Sequence, residues 1–272
     1  MTGLVLGVAV LAVVVVMGVA AGQTRRLRRI AVVDAAWGFA YVTLTVAVAV
    51  VVVLGEDATS DSGPGVHRWL RWVVVAMVAV WGLRLGTHLW RRVVASREDD
   101  PRYEDLLGGG LDSIPFGRVL TKVYGLQAVI VLVVAVPVLV VMLAEPRHVW
   151  PAFLGVPLWA LGVGLESAAD RQLAAYRADP ERPRLLTTGV WSWSRHPNYF
   201  GDTCVWWGIW LASAATCGWP GAVIGLVGPV VMTWFLIAVS GVRLAERRMA
   251  DRPGWPAYVA RTSIFVPMPP RR

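Results

Sequence analysis

The sequence predicts an all-α polytopic membrane protein, a seven-transmembrane-helix bundle forming one membrane-embedded domain over residues 1–272. Three observations predict it. Apolar residues make up 56% of the chain and charged residues only 16%, against roughly 25% charged in a soluble domain. The apolar residues fall in nearly uncharged blocks such as Leu4–Ala21, Val42–Leu54 and Val129–Ala144. With their flanks these blocks approach the roughly 20 residues that cross a hydrocarbon core about 30 Å thick. Finally, the basic residues collect in alternate loops, as the positive-inside rule requires.

In chain order the spans lie at about 3–22, 31–54, 69–90, 119–143, 150–172, 202–217 and 220–242. The first lacks a basic leader and a cleavage site, so it reads as a retained span. The sixth is short, interrupted by glycine and followed by Trp219-Pro220, a pattern compatible with either a re-entrant or a tilted helix. One set of loops carries Arg25 to Arg29, Arg91 to Lys122, Arg177 to Arg195 and Arg243 onward. The other set, Gly55–Val66, Glu145–His148 and Cys217–Pro220, is nearly free of Lys and Arg. The asymmetry is about seven to one, which predicts the N-terminus outside, the C-terminus cytosolic, and a cell (inner) membrane of bacterial type.

The net charge of +8 therefore needs no nucleic acid. Cys204 and Cys217 show neither metal spacing nor a disulfide framework, and no metal site is expected. A transporter or scaffold would spread polar residues along a path through both leaflets, whereas here they gather at one end, and no internal repeat is visible.

Ionisable groups at membrane depth mark candidate sites. Asp34 opens the second span, either as an interfacial carboxylate beside Arg28 and Arg29 or as a group facing the bundle interior. Arg84, His88 and Arg91 share one face of the third span by helical spacing. Glu166 and Asp170 stack like charges at i and i+4, a local cost that a ligand with hydroxyls or an amide would relieve, and Arg171 and Gln172 follow. The densest junction runs Thr188-Gly189-Val190-Trp191-Ser192-Trp193-Ser194-Arg195-His196-Pro197-Asn198-Tyr199-Phe200-Gly201-Asp202. There Arg195 and His196 offer phosphate donors, and Pro197 opens a helix whose N-terminus suits an anion. A weaker patch pairs Glu246 with several Arg after the last span.

This junction resembles the C-terminal signature of the steroid 5α-reductase superfamily, and more closely its uncharacterised bacterial membrane branch. The resemblance extends to Glu166-x-x-x-Asp170-x-Gln172, Asp34–Gly38, Trp81–Arg84 and Glu98-Asp99-Asp100-Pro101-Arg102-Tyr103. It implies a seven-helix bundle that binds NADPH from the cytosolic side and takes a lipophilic enone from the bilayer. Hydride would pass to the β-carbon of the conjugated C=C bond while polar side chains hold the carbonyl oxygen. It places cofactor contacts at Asn198, Tyr199, Asp202, Glu166, Asp170 and Gln172, with Arg171, Arg195, His196 and Glu246 toward the phosphates and adenosine, all within a cofactor half at about 150–267. The family holds the carbonyl with a Glu on span two and a Tyr on span three. This chain departs there: Asp34 is the nearest acid, His88 with Arg91 takes the place of the Tyr and its following Arg, and Arg84 is the further catalytic candidate. The rival resemblance is to S-adenosylmethionine-dependent membrane methyltransferases of the isoprenylcysteine or phospholipid type, which share an Arg-His-Pro run and a late Glu. Asn198, Asp202 and the Glu166/Asp170/Gln172 set lie outside that pattern.

Overall fold

The computed structural model describes residues 1–57, 68–96 and 98–271. Most of the acidic loop Gly55–Val66, with Arg97 and Arg272, lies outside the described residues. Thirteen α-helices occur among those residues: α1 (Thr2–Leu27), α2 (Val32–Asp57), α3 (Trp69–Ala95), α4 (Pro101–Leu107), α5 (Phe116–Val119), α6 (Leu126–Val134), α7 (Val136–Leu143), α8 (Trp150–Ala178), α9 (Pro197–Ala212), α10 (Trp219–Gly225), α11 (Val227–Trp234), α12 (Val242–Met249) and α13 (Trp255–Arg261). They include no named strand; the sole bridge outside helices joins Ser194 and Ser263.

Six helical stretches are long and apolar enough to cross a membrane: Thr2–Leu27, Val32–Gly55, Trp69–Ala95, Phe116–Val134, Trp150–Ala178 and Trp219–Met249. The chain is an all-helical integral membrane protein. The expected span at 202–217 appears as α9 followed by a 3₁₀ turn, Ala214–Cys217. Its 16 residues reach only about 24 Å, which is why it falls short of the six. The fourth expected span is broken at Ala135 because Pro137 enters α7 without an amide hydrogen.

Glycine sets the closest helix contacts. α8 and α9 run antiparallel with Gly155 against Gly208 and Gly162 against Gly201, a spacing of seven on both helices. A Cβ on Gly208 would meet the Gly155 carbonyl at 2.7 Å, and one on Gly162 would meet the Val205 amide nitrogen at 2.7 Å. On α3, Gly82 and Gly86 form a G-x-x-x-G pair against Gly38 of α2, where a Cβ on Gly82 would lie 2.7 Å from the Gly38 carbonyl. Without a hydrophobic drive between helices in lipid, such backbone approach supplies the packing energy. Between these two glycine seams Tyr41, Trp81 and Trp206 form a fully buried aromatic centre, with Tyr41 and Trp206 ring centroids 4.5 Å apart.

Two π-helical segments, Leu120–Gly125 and Phe235–Val239, interrupt the helices on the far side of the bundle. At the arginine-rich end, Asp99 accepts hydrogen bonds from the Ile30 and Ala31 amides and so caps α2 from a distant loop. Asp100 caps α4 through the Arg102 amide at 3.0 Å, with Pro101 in the first turn. Both acids sit where a helix N-terminus favours negative charge.

Candidate functional site

The starts of α2 and α9, the ends of α3 and α8, α4 and both π segments enclose an open cavity of about 920 Å³ at the arginine-rich end. That is within the size of pockets that bury small organic ligands. One wall is apolar, built by Leu126, Ile130, Met232, Phe235, Leu236 and Val239. The other is polar. Both π segments border the cavity, in keeping with the frequent placement of such segments at functional sites.

At the polar end Asp34 accepts the Tyr103 hydroxyl at 2.5 Å and pairs with the Arg102 guanidinium at 2.6 Å. The Trp37 indole donates to Gln127 Oε1. An indole nitrogen only donates, so this bond turns the Gln127 amide nitrogen toward its other neighbour. Gln127 is a neighbour of the Tyr103 hydroxyl, which donates to Asp34. Burial, and then the Asp34 charge, push the Tyr103 phenol well above its ordinary range, so it keeps its proton. The Arg102 guanidinium, held first by the Asp34 charge, is pushed up and remains cationic.

A second cluster crosses the bundle. Arg84 of α3 pairs with Glu166 at 2.8 Å and with Asp170, and the Trp81 indole donates to Glu166 at 3.1 Å. The expectation that a ligand relieves the like-charge stack of Glu166 and Asp170 is answered in part within the protein: Arg84 bridges both, one positive charge against two carboxylates. Glu166 is 3% exposed, and a buried carboxylate requires such a partner. His88 stands 3.7 Å from Asp170. Asp202, one turn into α9, faces the same space, and its buried Oδ1 has no hydrogen-bond partner among the described residues.

Of the residues singled out in the sequence, Asp34, His88, Glu166, Asp170, Asn198, Tyr199 and Asp202 line this one cavity. Asp34 and His88 do so with separate partners, Tyr103 with Arg102 for the first and Asp170 for the second. Arg84 stands behind the wall as an ion-pair partner. Arg171 and Gln172 are not part of the lining. The Gln172 carbonyl receives the Val190 amide at 3.0 Å beneath Gly189, whose φ of 62° suits glycine. Arg195, His196 and Glu246 form a separate knot. Arg195 grips the Glu246 carboxylate at 3.0 and 2.8 Å and donates its remaining nitrogen to the Thr262 carbonyl at 2.6 Å. His196 Nε2 meets Glu246 at 2.8 Å. Every nitrogen of the Arg195 guanidinium is engaged by protein, and the knot binds the C-terminal segment to the junction.

Sequence reasoning missed Tyr103, Arg102 and Gln127 as a unit, and it missed Arg177 as a wall residue. The run Asp-Pro-Arg-Tyr at 100–103 was the available signal: a capped short helix start that aims two polar side chains in one direction.

A family profile described as Protein of unknown function (DUF1295) matches residues 22–262. The chain belongs to this family. The matched stretch takes in every residue of the cavity and of the Arg195 knot, so the DUF1295 unit and the site coincide. Neither the curated proteins nor the solved structures give a match to this DUF1295 chain.

Proposed function

We propose that this DUF1295 protein is an NADPH-dependent membrane reductase that transfers hydride to the conjugated C=C bond of a lipidic enone, resembling the steroid 5α-reductases. The observation that carries the reading is the pairing of Tyr103 with Asp34 at the polar end of a large, half-apolar cavity. Reduction of an enone builds negative charge on the carbonyl oxygen, and a preorganised donor at that oxygen lowers the barrier most. Tyr103 is that donor: its single proton, directed here to Asp34, turns to the substrate oxygen when the carbonyl arrives, and Arg102 offsets the Asp34 charge. The apolar wall holds the lipid part of the substrate and keeps water from the reacting bond.

The polar wall suits the cofactor. Arg91 and Arg177 line it without a carboxylate partner among the described residues, and Arg92 is a charged neighbour of Arg177. Like charges gathered this way favour a polyanion between them, and these three would hold the phosphates. The unpartnered Asp202 Oδ1 is an acceptor for a carboxamide N–H, with Asn198 and Tyr199 beside it. When bound, the reduced nicotinamide supplies the hydride. A proton from solvent at the open end completes the saturated product.

In this reading α9 and its 3₁₀ turn form a seventh, shortened crossing, the arginine-rich end is cytosolic, and the N-terminus lies outside, in a bacterial-type cell membrane. The positive-inside asymmetry supports that orientation. The test is thermal stabilisation of the purified protein by NADPH against S-adenosylmethionine. A ligand at 100 times its dissociation constant adds about 2.7 kcal/mol. A shift with NADPH alone supports the reductase. A shift with S-adenosylmethionine alone replaces it with the methyltransferase.

A further inference from the structure

Beside its arginines the cavity lining holds one more cation, on a different helical segment from Arg91 and Arg177. Lys122 is the sole lysine among the 26 basic residues of the chain. It lies in the π-helical segment Leu120–Gly125 and lines the cavity. Among the described residues it has no carboxylate within ion-pair distance and no hydrogen bond. Of the acids that line the cavity, Asp34 is committed to Arg102 and Tyr103, Glu166 and Asp170 to Arg84, and Asp202, whose Oδ1 has no partner among the described residues, makes no ion pair with Lys122.

Lys122 precedes Gln127 by five positions, about 7 Å along a helix axis, and Gln127 neighbours the Tyr103 hydroxyl. Leu126 and Ile130 continue the same helical run as apolar wall. A single molecule lying along this run meets an ammonium first, then the phenol, then hydrocarbon. Snorkelling to the interface would account for an unpaired lysine on a lipid-facing helix. Lys122 is itself exposed; what sets it apart is that it borders the cavity on the run that carries Gln127. An ammonium is a compact point charge with three rotatable donors, suited to a carboxylate or phosphate approaching from several angles.

We infer that Lys122 is the head-group subsite of this cavity, and that the substrate is an anionic amphiphile carrying a carboxylate or phosphate on the polar side of its reactive carbonyl. The inference rests on the reductase reading for the identity of that amphiphile as substrate. Binding itself is measured without cofactor.

The experiment uses the full chain in phosphatidylcholine nanodiscs, with equilibrium binding of hexadecyl phosphate, palmitate and hexadecanol. Wild-type protein binds the phosphate, the carboxylate or both at least about tenfold tighter than the alcohol, the size of one charge-assisted hydrogen bond. Whichever acid is preferred names the head group. Lys122→Gln abolishes the preference and leaves hexadecanol affinity and the melting temperature unchanged. Lys122→Arg retains it. Equal affinity for acids and alcohol in the wild type, or an undiminished preference in Lys122→Gln, overturns the inference. An NADPH titration in the same discs separates the two claims. Lys122-dependent anion binding with no response to NADPH leaves the subsite standing and removes the reductase.

Discussion

Tyr103 and Asp34 stand 69 positions apart in the chain and share a 2.5 Å hydrogen bond at the polar end of the cavity. The bond joins a seven-residue helix in a loop to the first turn of a spanning helix. It is the geometry on which the proposed carbonyl activation rests.

Removing the phenol tests it directly. Tyr103→Phe should lower the rate of enone reduction by about 10²–10³-fold, the usual cost of losing an oxyanion contact. NADPH affinity should stay at the wild-type value. Asp34→Asn should reduce the rate as well, because the phenol loses its charged anchor. The substrate comes first, from a screen of acidic enone lipids for NADPH oxidation. Wild-type turnover in both variants would place the carbonyl elsewhere.

Arginines in the wall and in the knot should separate by phenotype. Arg177→Gln should weaken NADPH binding by about 10- to 100-fold with an unchanged melting temperature. Arg195→Ala should do the reverse. It leaves Glu246 facing His196 alone and frees the Thr262 carbonyl, a loss of about 3 kcal/mol of stability, at the low end for a buried pair because Glu246 retains some solvent contact. Denaturation and nucleotide titration of both variants decide the matter. An Arg195 variant that folds normally but loses NADPH would return this residue to the cofactor site.

The glycine seam offers a test that needs no ligand. Gly162→Ala and Gly208→Ala should each fail to assemble or melt far below wild type, because the new methyl meets backbone of the facing helix at under 3 Å. Gly22→Ala, with nothing within 4 Å of the added carbon, should be silent. Comparable melting curves for all three variants would mean that α8 and α9 do not approach as described.

Much of the architecture was legible because long uncharged blocks leave the chain no other way to satisfy its backbone in lipid. The clustering of Glu166, Asp170, Asn198 and Asp202 was legible for a similar reason, since polar side chains of short reach at one depth must face inward. What escaped depends on contacts distant in sequence. Arg84 read as a catalytic candidate because its two carboxylate partners lie 82 and 86 positions later. Arg195 and Glu246 read as ligands of a phosphate when their partners were each other. Tyr103 lies in the Glu98–Tyr103 run that the family resemblance covered without a role for the phenol, and nothing local marks the arrival of Asp34.

Acid should loosen the loop that carries Tyr103. Burial pushes the Asp100 carboxyl up, but hydrogen bonds and charge from Arg102, helped by Arg92, hold it below its ordinary value. A carboxyl depressed in the folded state contributes stability that is full above about pH 4 and is lost as pH falls through the lowered value. Asp100 also lies near Arg248 of α12, at 3.6 Å, so its protonation releases contacts from two elements. Melting curves between pH 7 and 3 should show an acid limb that Asp100→Asn flattens. Identical limbs in both proteins would assign the loss to other carboxylates.

The knot at Arg195 also fixes an order of events. Residues 193–195 are held by backbone and side-chain bonds to Ser263, Phe265 and Met268, and Arg195 closes on Glu246 and Thr262. Apart from Glu246, which lies in the last spanning stretch, these partners leave the ribosome after the spanning helices have been made. The membrane insertion of the bundle can therefore finish while the junction beside Asn198 still lacks its support. Assembly of the wall beside Asn198 can then come last, once the crossings are in place.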